Sequence, residues 1–350
     1  MMPEASGTCE EFVDFDRLAQ LVSAQGGFCS SALALCLLPD GQRGINAVEA
    51  IPAGEVIMRV PLNLCLSTGP QKRCDAAEEG AGAAMDWICR LALRLLEEMQ
   101  MGEASAYSAY LRTLPRASER GLCDWPMKDL ASLSNPDLER ISQGWRELRL
   151  TCATAVAQLH QLEARTGQPP CKELHCLDYL SKHVVDLVIT RAVKFNSSGG
   201  LPFRTLVPLY DLLNHGHPNV SYCLESDVVE VHTLQEIGAY QEVRCDYGLS
   251  VEKMLLHHGV LLDGVTFDLY MHDGVQVQVN PHGQLQLSDN LDLAEPARMT
   301  LAQLCDSQLA AMSDFENSCV LSDLQPRQEL AKRYRAMRRR ALEQARLWLA

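Results

Sequence analysis

The hydrophobic period changes more than once along this chain, and those changes limit its possible folds more than any other feature. Between residues 31 and 66 the apolar runs are short and broken by turn clusters. SALALCLL, PDGQRG, INAVEA, IPAGE and VIMRVPLNLCL follow in succession, as expected of short strands and tight turns. From Asp86 the repeat lengthens. Ile88, Leu91, Leu95 and Met99 fall on one helical face, and helical patterns continue through 107–114 and 138–162. TGQPPC at 166–171 ends that block, and a further helix over 174–195 leads to the loop NSSGGLP. Strand character returns between 205 and 248, where Val243, Cys245 and Tyr247 share one face. After LLDG at 261–264 and a weaker strand signal, VQVQVN, the chain turns helical. Its last helix starts at Pro326, with Leu330, Tyr334, Met337, Ala341 and Trp348 as the expected buried stripe. No internal repeat or low-complexity tract interrupts this order.

Length and charge narrow the function classes. The 350 residues allow roughly two domains, or one compact domain with an insertion. With 47% hydrophobic and 22% charged residues, extended disorder, collagen and coiled coil are excluded. A balance of 31 basic against 45 acidic residues, net -14, repels phosphate backbones, so no direct nucleic-acid binding is expected and basic partners fit better. The acidic start MMPEASGTCEEFVDFD lacks the apolar run of a signal peptide, and no stretch is long and apolar enough for a membrane span. The expectation is a cytoplasmic or nuclear protein with no membrane partner, whose 14 cysteines are reduced thiols.

Several clusters have both a chemical and a plain structural reading. Cys171, His175 and Cys176 lie close together, but CxxxHC lacks the paired spacing of a structural zinc site. His215 and His217 form a metal centre only if the fold brings His257 and His258 to them. Gly41 and Gly44 flank a tight turn where a ligand can approach backbone groups, yet no helix follows and the pattern is not GxGxxG, so a β-turn is the competing reading. Asp211, Asn214 and His215 close the apolar run LVPLYDLL at a turn, which suits either a site or local side-chain to backbone bonding. Arg191, next to Ala192 and Val193, is either a carboxylate-binding fork or an ordinary solvated arginine. Tyr247 alone reads as a buried tyrosine closing a sheet. Arg327, Lys332, Arg333, Arg335, Arg338, Arg339, Arg340 and Arg346 crowd the last helix, as a solvated face or a docking surface.

Taken in order, the pieces become specific. RGI…AxxAIPAGEVIMRVP, SAYLRTLP, ITRAV, LVPLYDLLNH, SYCL, EVRCDYG and LLHHGV together resemble the SET-domain protein methyltransferases of the Rubisco large-subunit methyltransferase type, over most of the chain. DLLNH and DYG are the most specific elements, and YRAMRRRALEQARLWL looks like the closing helix of that family's C-terminal domain. The resemblance implies an α+β protein, a SET fold of small irregular β-sheets with a helical insertion and a helical C-terminal substrate-binding domain. The expected divisions are 1–85 and 176–262 for the SET halves, 86–175 for the insertion and 263–350 for a shortened substrate domain.

The same resemblance implies a lysine N-methyltransferase that uses S-adenosyl-L-methionine, needs no metal, and acts on a protein substrate carrying a target lysine, taken as non-histone. Its cofactor contacts fall on Gly41, Gln42, Arg43, Arg191, Asn214 and His215. Phe195, Asp211 and Tyr222 line the lysine side, and Tyr247 is the catalytic position. Methyl transfer to an amine is an in-line displacement, so such a site positions groups and supplies no covalent nucleophile. The amine attacks when neutral. An apolar channel beside a sulfonium lowers its reference pKa of about 10.4, and aromatic walls suit both cations. The chain departs from the family pattern at Gln42-Arg43-Gly44, at Tyr240-Gln241, at Val251 or Glu252 where an asparagine is usual, and at His258-Gly259-Val260 in place of YGF. Those departures keep two alternatives in view: a catalytically weak SET-fold binding module, and a protein-histidine methyltransferase on the same fold.

Overall fold

The strand-rich regions fold into small sheets, because each run is too short to build a large one. The computed structural model describes residues 9–38, 42–68, 81–115, 121–164, 174–197, 200–262, 265–270, 276–280, 284–287, 295–318 and 326–349. They fall into two compact units: 1–118 with 148–247, and 119–147 with 248–350. Residues 119–147, part of the expected insertion, thus group with the C-terminal residues.

In the first unit, β1 (Phe28–Cys29), β4 (Val56–Pro61), β9 (Val220–Glu225) and β10 (Val228–Thr233) form a sheet in the order β1-β4-β10-β9. Its antiparallel registers place Val229 opposite Val60 and Val231 opposite Met58, all four fully buried. A second sheet runs β2-β3-β11-β8, from β2 (Leu33–Leu37), β3 (Arg43–Ala47), β11 (Glu242–Cys245) and β8 (Asn214–His215). Its β8–β11 pairing is parallel, with Arg244 opposite Asn214 and Cys245 opposite His215. A third sheet joins β5 (Leu66–Ser67), β7 (Pro202–Leu206) and β6 (Val193–Asn196).

Helices cover these sheets through the apolar faces that the period predicts. In α2 (Ala81–Met101), Ile88, Leu91 and Leu95 are fully buried, and the helix packs on α6 (Leu174–Arg191). The helix expected over 174–195 ends at Arg191. Val193 to Asn196 instead form a strand whose alternating burial comes from pairing with β7, so Phe195 sits opposite Phe203. The acidic N-terminal segment forms a helix that the strand-and-turn reading did not include, α1 (Cys9–Ala24), which buries Phe15, Leu18 and Val22. The short α3 (Ser108–Thr113) lies against it and buries Tyr110.

The second unit contains α4 (Met127–Ala131), the first turns of α5 (Pro136–Ala164), α7 (Val251–His258), the hairpin sheet β12 (Phe267–Tyr270), β13 (Gln276–Val279) and β14 (Leu285–Leu287), then α8 (Glu295–Ser318) and α9 (Pro326–Leu349). Its core gathers Leu133, Leu138, Leu255, Met312, Tyr334 and Leu342. Two expectations for α9 are corrected. Trp348 is 46% exposed, and Leu342, Ala345 and Leu349 complete the buried stripe instead. Arg335 and Arg338 are buried and not solvated, because their guanidinium groups donate to the backbone carbonyls of Ser132 and Ser134. Among the described residues, no helix is long and apolar enough to cross a membrane, and Cys29, Cys36, Cys65, Cys89, Cys123, Cys152, Cys223, Cys245 and Cys305 are free thiols.

Candidate active site

The parallel pairing of β8 and β11 brings together residues far apart in sequence. The Asn214 amide nitrogen donates to the Arg43 carbonyl and to Glu242 Oε1, both at 2.8 Å, which joins β8 to β3 and β11. Glycine at 44 makes room for that convergence, since a Cβ there would lie 2.9 Å from Glu242 Oε1 and 3.0 Å from Asn214 Nδ2 and would displace the side-chain ends that meet. Both amide hydrogens of Asn214 are used by these bonds, so Oδ1 is the atom of this side chain suited to accept from a ligand ammonium. The adjacent turn is closed by Leu38 N donating to the Gln42 carbonyl at 2.7 Å, while Gly41 lies outside the described residues.

His215 is buried, and its Nδ1 accepts from the Tyr247 backbone N–H at 3.1 Å, so in the neutral ring the proton is on Nε2. Its ring lies 5.2 Å from that of Tyr247. Tyr247 itself is just beyond the end of β11. Its hydroxyl donates to the Leu213 carbonyl at 2.6 Å, which fixes the ring and leaves the oxygen's lone pairs as acceptors. Gly248 follows at φ 65°, a left-handed conformation that turns the chain immediately after the tyrosine.

A strained turn presents the next group. Leu209 has φ 66° and ψ -47°, and Tyr210 N donates to the Pro208 carbonyl at 2.8 Å, the rare form of γ-turn. A fully buried leucine holds that conformation in place. Beyond it, Asp211 Oδ2 accepts from the Tyr110 hydroxyl at 2.8 Å, while Oδ1 is buried without a hydrogen-bond partner among the described residues. Burial pushes the Asp211 carboxyl up to about 6, against the downward pull of Arg191, the Tyr110 hydroxyl and Arg43. The Tyr110 phenol is in turn pushed well up, by burial first and by Asp211 second. Arg191, the last residue of α6, donates from Nη1 to Thr190 Oγ1 at 2.8 Å.

Aromatic rings form the remaining wall. Tyr222 on β9 lies 4.9 Å from Tyr210 and meets Phe195 edge-on at 5.7 Å, and Phe195 lies 5.9 Å from Phe203. The Tyr210 phenol is raised by burial and by the neighbouring Cys245 and Tyr222. Cys245, whose side chain points into the same buried region, has its thiol pushed up to about 12.

A family model described as SET domain matches residues 42–248, more than half of the chain, and includes Arg43, Tyr110, Arg191, Asn214, His215 and Tyr247. The chain belongs to the SET-domain family. Among curated proteins, SET domain-containing protein 4 of Artemia parthenogenetica is 23% identical over 282 residues, covering 77% of this chain and 65% of the relative. The chain thus spans less than two thirds of that relative's length and shares its fold with more distant solved proteins. The structure of Rubisco LSMT bound to AdoMet aligns with a TM-score of 0.63 at 16% identity, covering 96% of this chain and 91% of that one. The SET domain of LSMT bound to lysine and AdoHcy gives 0.62 at 15% identity over the same shares. The architecture is therefore α+β, with the small sheets of the SET fold and a C-terminal helical region.

Within this SET domain, the expected positions Arg43, Asn214, His215 and Tyr247 meet through the β8–β11 pairing. Arg191 and Asp211 interact electrostatically, and Phe195 packs on Tyr222. Three neighbours were not singled out from the sequence. Tyr110 lies inside the quoted SAYLRTLP, Tyr210 inside LVPLYDLLNH, and Glu242 opens EVRCDYG. Their motifs were visible, but their roles come from burial that spacing does not reveal. Of the histidines and cysteines considered for metal, Cys171 and the side chains of His175 and Cys176 lie outside the described residues, while His257 packs edge-on against Trp145 at 4.6 Å.

Proposed function

We propose that this chain is an S-adenosyl-L-methionine-dependent protein-lysine N-methyltransferase acting on a non-histone protein. The observation that carries the reading is the anchoring of the Tyr247 hydroxyl on the Leu213 carbonyl, beside Asn214 and His215. Solved proteins of like fold carry matching ligands: AdoMet in one, and sinefungin with monomethyllysine in another.

The residues present fit that cofactor and substrate. A buried carboxylate oxygen at Asp211 with no hydrogen-bond partner among the described residues, an amide oxygen at Asn214, a guanidinium at Arg191 and several ring faces form a set suited to cationic and zwitterionic groups. When bound, S-adenosylmethionine supplies an electrophilic methyl on a sulfonium. In this reading Arg191 pairs with its carboxylate, Asn214 Oδ1 accepts from its ammonium, and Gln42, Arg43 and His215 shape the adjoining wall, with Gly41 at the turn.

Phe195, Tyr210 and Tyr222 exclude water on the lysine side and so favour the neutral amine, while Asp211 offers its enclosed oxygen to the incoming side chain. Tyr247 orients the amine toward the methyl, a positioning task worth about 10²-fold in rate when lost. The substrate-binding role of the C-terminal helices belongs to the same proposal.

The test is labelling of a lysate by the purified protein with radiolabelled cofactor, alongside calorimetry of cofactor binding. Transfer to a lysine of a non-histone protein is expected. Tyr247→Phe keeps the ring and should bind cofactor normally while losing about 99% of the transfer. Tight cofactor binding by the parent with no labelled protein would point to a binding module, and label on histidine would reassign the acceptor. A fully active Tyr247→Phe variant would remove that residue from the mechanism.

A further inference from the structure

The face of β9 and β10 turned away from the aromatic cluster carries chemistry that methyl transfer does not use. Cys223 and Tyr222 are adjacent on β9 and so point to opposite sides of the sheet. Cys223 pairs across the strands with Glu230, and His232 is on the same face two residues further along β10. Their ligand atoms converge: Cys223 Sγ lies 3.6 Å from His232 Nε2, which lies 3.2 Å from Glu230 Oε2. Glu225, at the end of β9, places Oε1 3.8 Å from the same sulfur.

From these contacts we infer that Cys223, Glu230 and His232 form a three-residue binding site for a zinc ion, with water as the fourth ligand of the tetrahedron. Tetrahedral zinc with ordinary bond lengths separates a thiolate sulfur from an imidazole nitrogen by about 3.6 Å, nitrogen from carboxylate oxygen by about 3.4 Å, and sulfur from oxygen by about 3.6 Å. The sulfur–nitrogen and nitrogen–oxygen separations match those edges to within a few tenths of an ångström. All three principal atoms lie within 4.8 Å of one another.

Hydrogen bonds use the cluster piecemeal: Nε2–H can donate to Glu230 while the Cys223 thiol donates to Glu225, which leaves sulfur and nitrogen 3.6 Å apart with no proton between them. A cation satisfies sulfur, nitrogen and oxygen together. The mixed donor set suits zinc better than the hard, oxygen-seeking cations. Arg59 Nε donates to the second oxygen of Glu230 at 2.7 Å, which orients the carboxylate as second-shell partners do at metal centres. The side chains of Glu230 and His232 are 19% and 31% exposed, so an ion can enter from solvent without opening the core. Such an ion would bind β9 to β10 from the side opposite Tyr222.

Cobalt(II) is the probe, added to the full-length protein after removal of bound metal. The parent is expected to take up one equivalent at this site, with a thiolate-to-cobalt charge-transfer band and the strong visible bands of tetrahedral coordination, both abolished by stoichiometric zinc. Cys223→Ser, nearly isosteric, should lose the charge-transfer band, and the Cys223→Ser/His232→Ala double variant should bind zinc at least about 100-fold more weakly with an unchanged circular dichroism spectrum. Zinc should raise the melting temperature of the parent and leave that of the double variant unmoved. A parent without the thiolate band, or a double variant that keeps both band and stoichiometry, would overturn the assignment. Chelator should leave cofactor binding unchanged, because that reading uses none of these side chains.

Discussion

Asn214 is a scaffold residue in the structure and a cofactor contact in the proposed reading. Its two amide hydrogens hold the Arg43 carbonyl and Glu242, which leaves Oδ1 as the atom that the proposed cofactor site would use. Asn214→Ala is expected to weaken cofactor binding by roughly 1.5–3 kcal/mol, the range for a hydrogen bond to a charged group, as read by calorimetry. Parent-like affinity and an unchanged melting temperature would mean the site is elsewhere. Tyr110 makes the complementary case, since its hydroxyl is the hydrogen-bond donor to a buried carboxylate. Tyr110→Phe should cost about 1.5–3 kcal/mol in urea unfolding at pH 8 and much less at pH 5, where Asp211 is mostly protonated in the fold. Asp211 stands out in the sequence as a charged residue inside the apolar run LVPLYDLL. Tyr110 does not, because nothing in SAYLRTLP announces that its tyrosine reaches a carboxylate 101 residues away.

At the scale of elements, legibility followed periodicity where one face was buried and failed where a few residues changed state. The face of α2 is visible in its spacing, whereas the helix over 174–195 ran too far because Val193 and Phe195 continue an apolar pattern that a strand also satisfies. The basic residues of α9 misled for a different reason. A run of arginines normally marks a solvated face, but the turn before α5 exposes carbonyls that only long donors can reach. Arg338 is 5% exposed and donates to the Ser134 carbonyl at 2.9 Å and to Gln308 at 3.0 Å. Arg338→Ala should therefore lower stability by about 2–3 kcal/mol, by leaving a buried carbonyl unsatisfied. Arg333→Ala, at an exposed position of the same helix, should change it by less than about 0.5 kcal/mol. Equal costs in denaturant titrations would return the arginines of this helix to a uniform surface role.

For the molecule as a whole, net charge and buried carboxyls act in the same direction. At net -14, each proton lost on raising the pH adds to self-repulsion, and one acidic group is placed to make that dependence steep. Glu252 is 1% exposed, accepts from the Asp268 backbone N–H at 2.8 Å and from the Tyr334 hydroxyl at 3.2 Å, and burial pushes its carboxyl up to about 7. Because the folded state holds this proton more tightly than the unfolded state, folding is favoured fully below the ordinary carboxyl range. That stability is lost as pH rises from about 4.5 through about 7. The difference corresponds to about 3 kcal/mol between pH 4 and pH 8. Asp211, raised to about 6, adds loss of the same sign over the lower part of that window. Glu252→Gln imitates the neutral carboxyl and cannot titrate, so its unfolding free energy should decline less with pH than the parent's, with the two curves drawing apart below pH 7. Urea titrations at half-unit steps from pH 5 to pH 8 measure that divergence. Parallel curves would show that Glu252 carries its charge in the fold at no cost, with its two donors and the nearby Arg338 sufficient to offset burial.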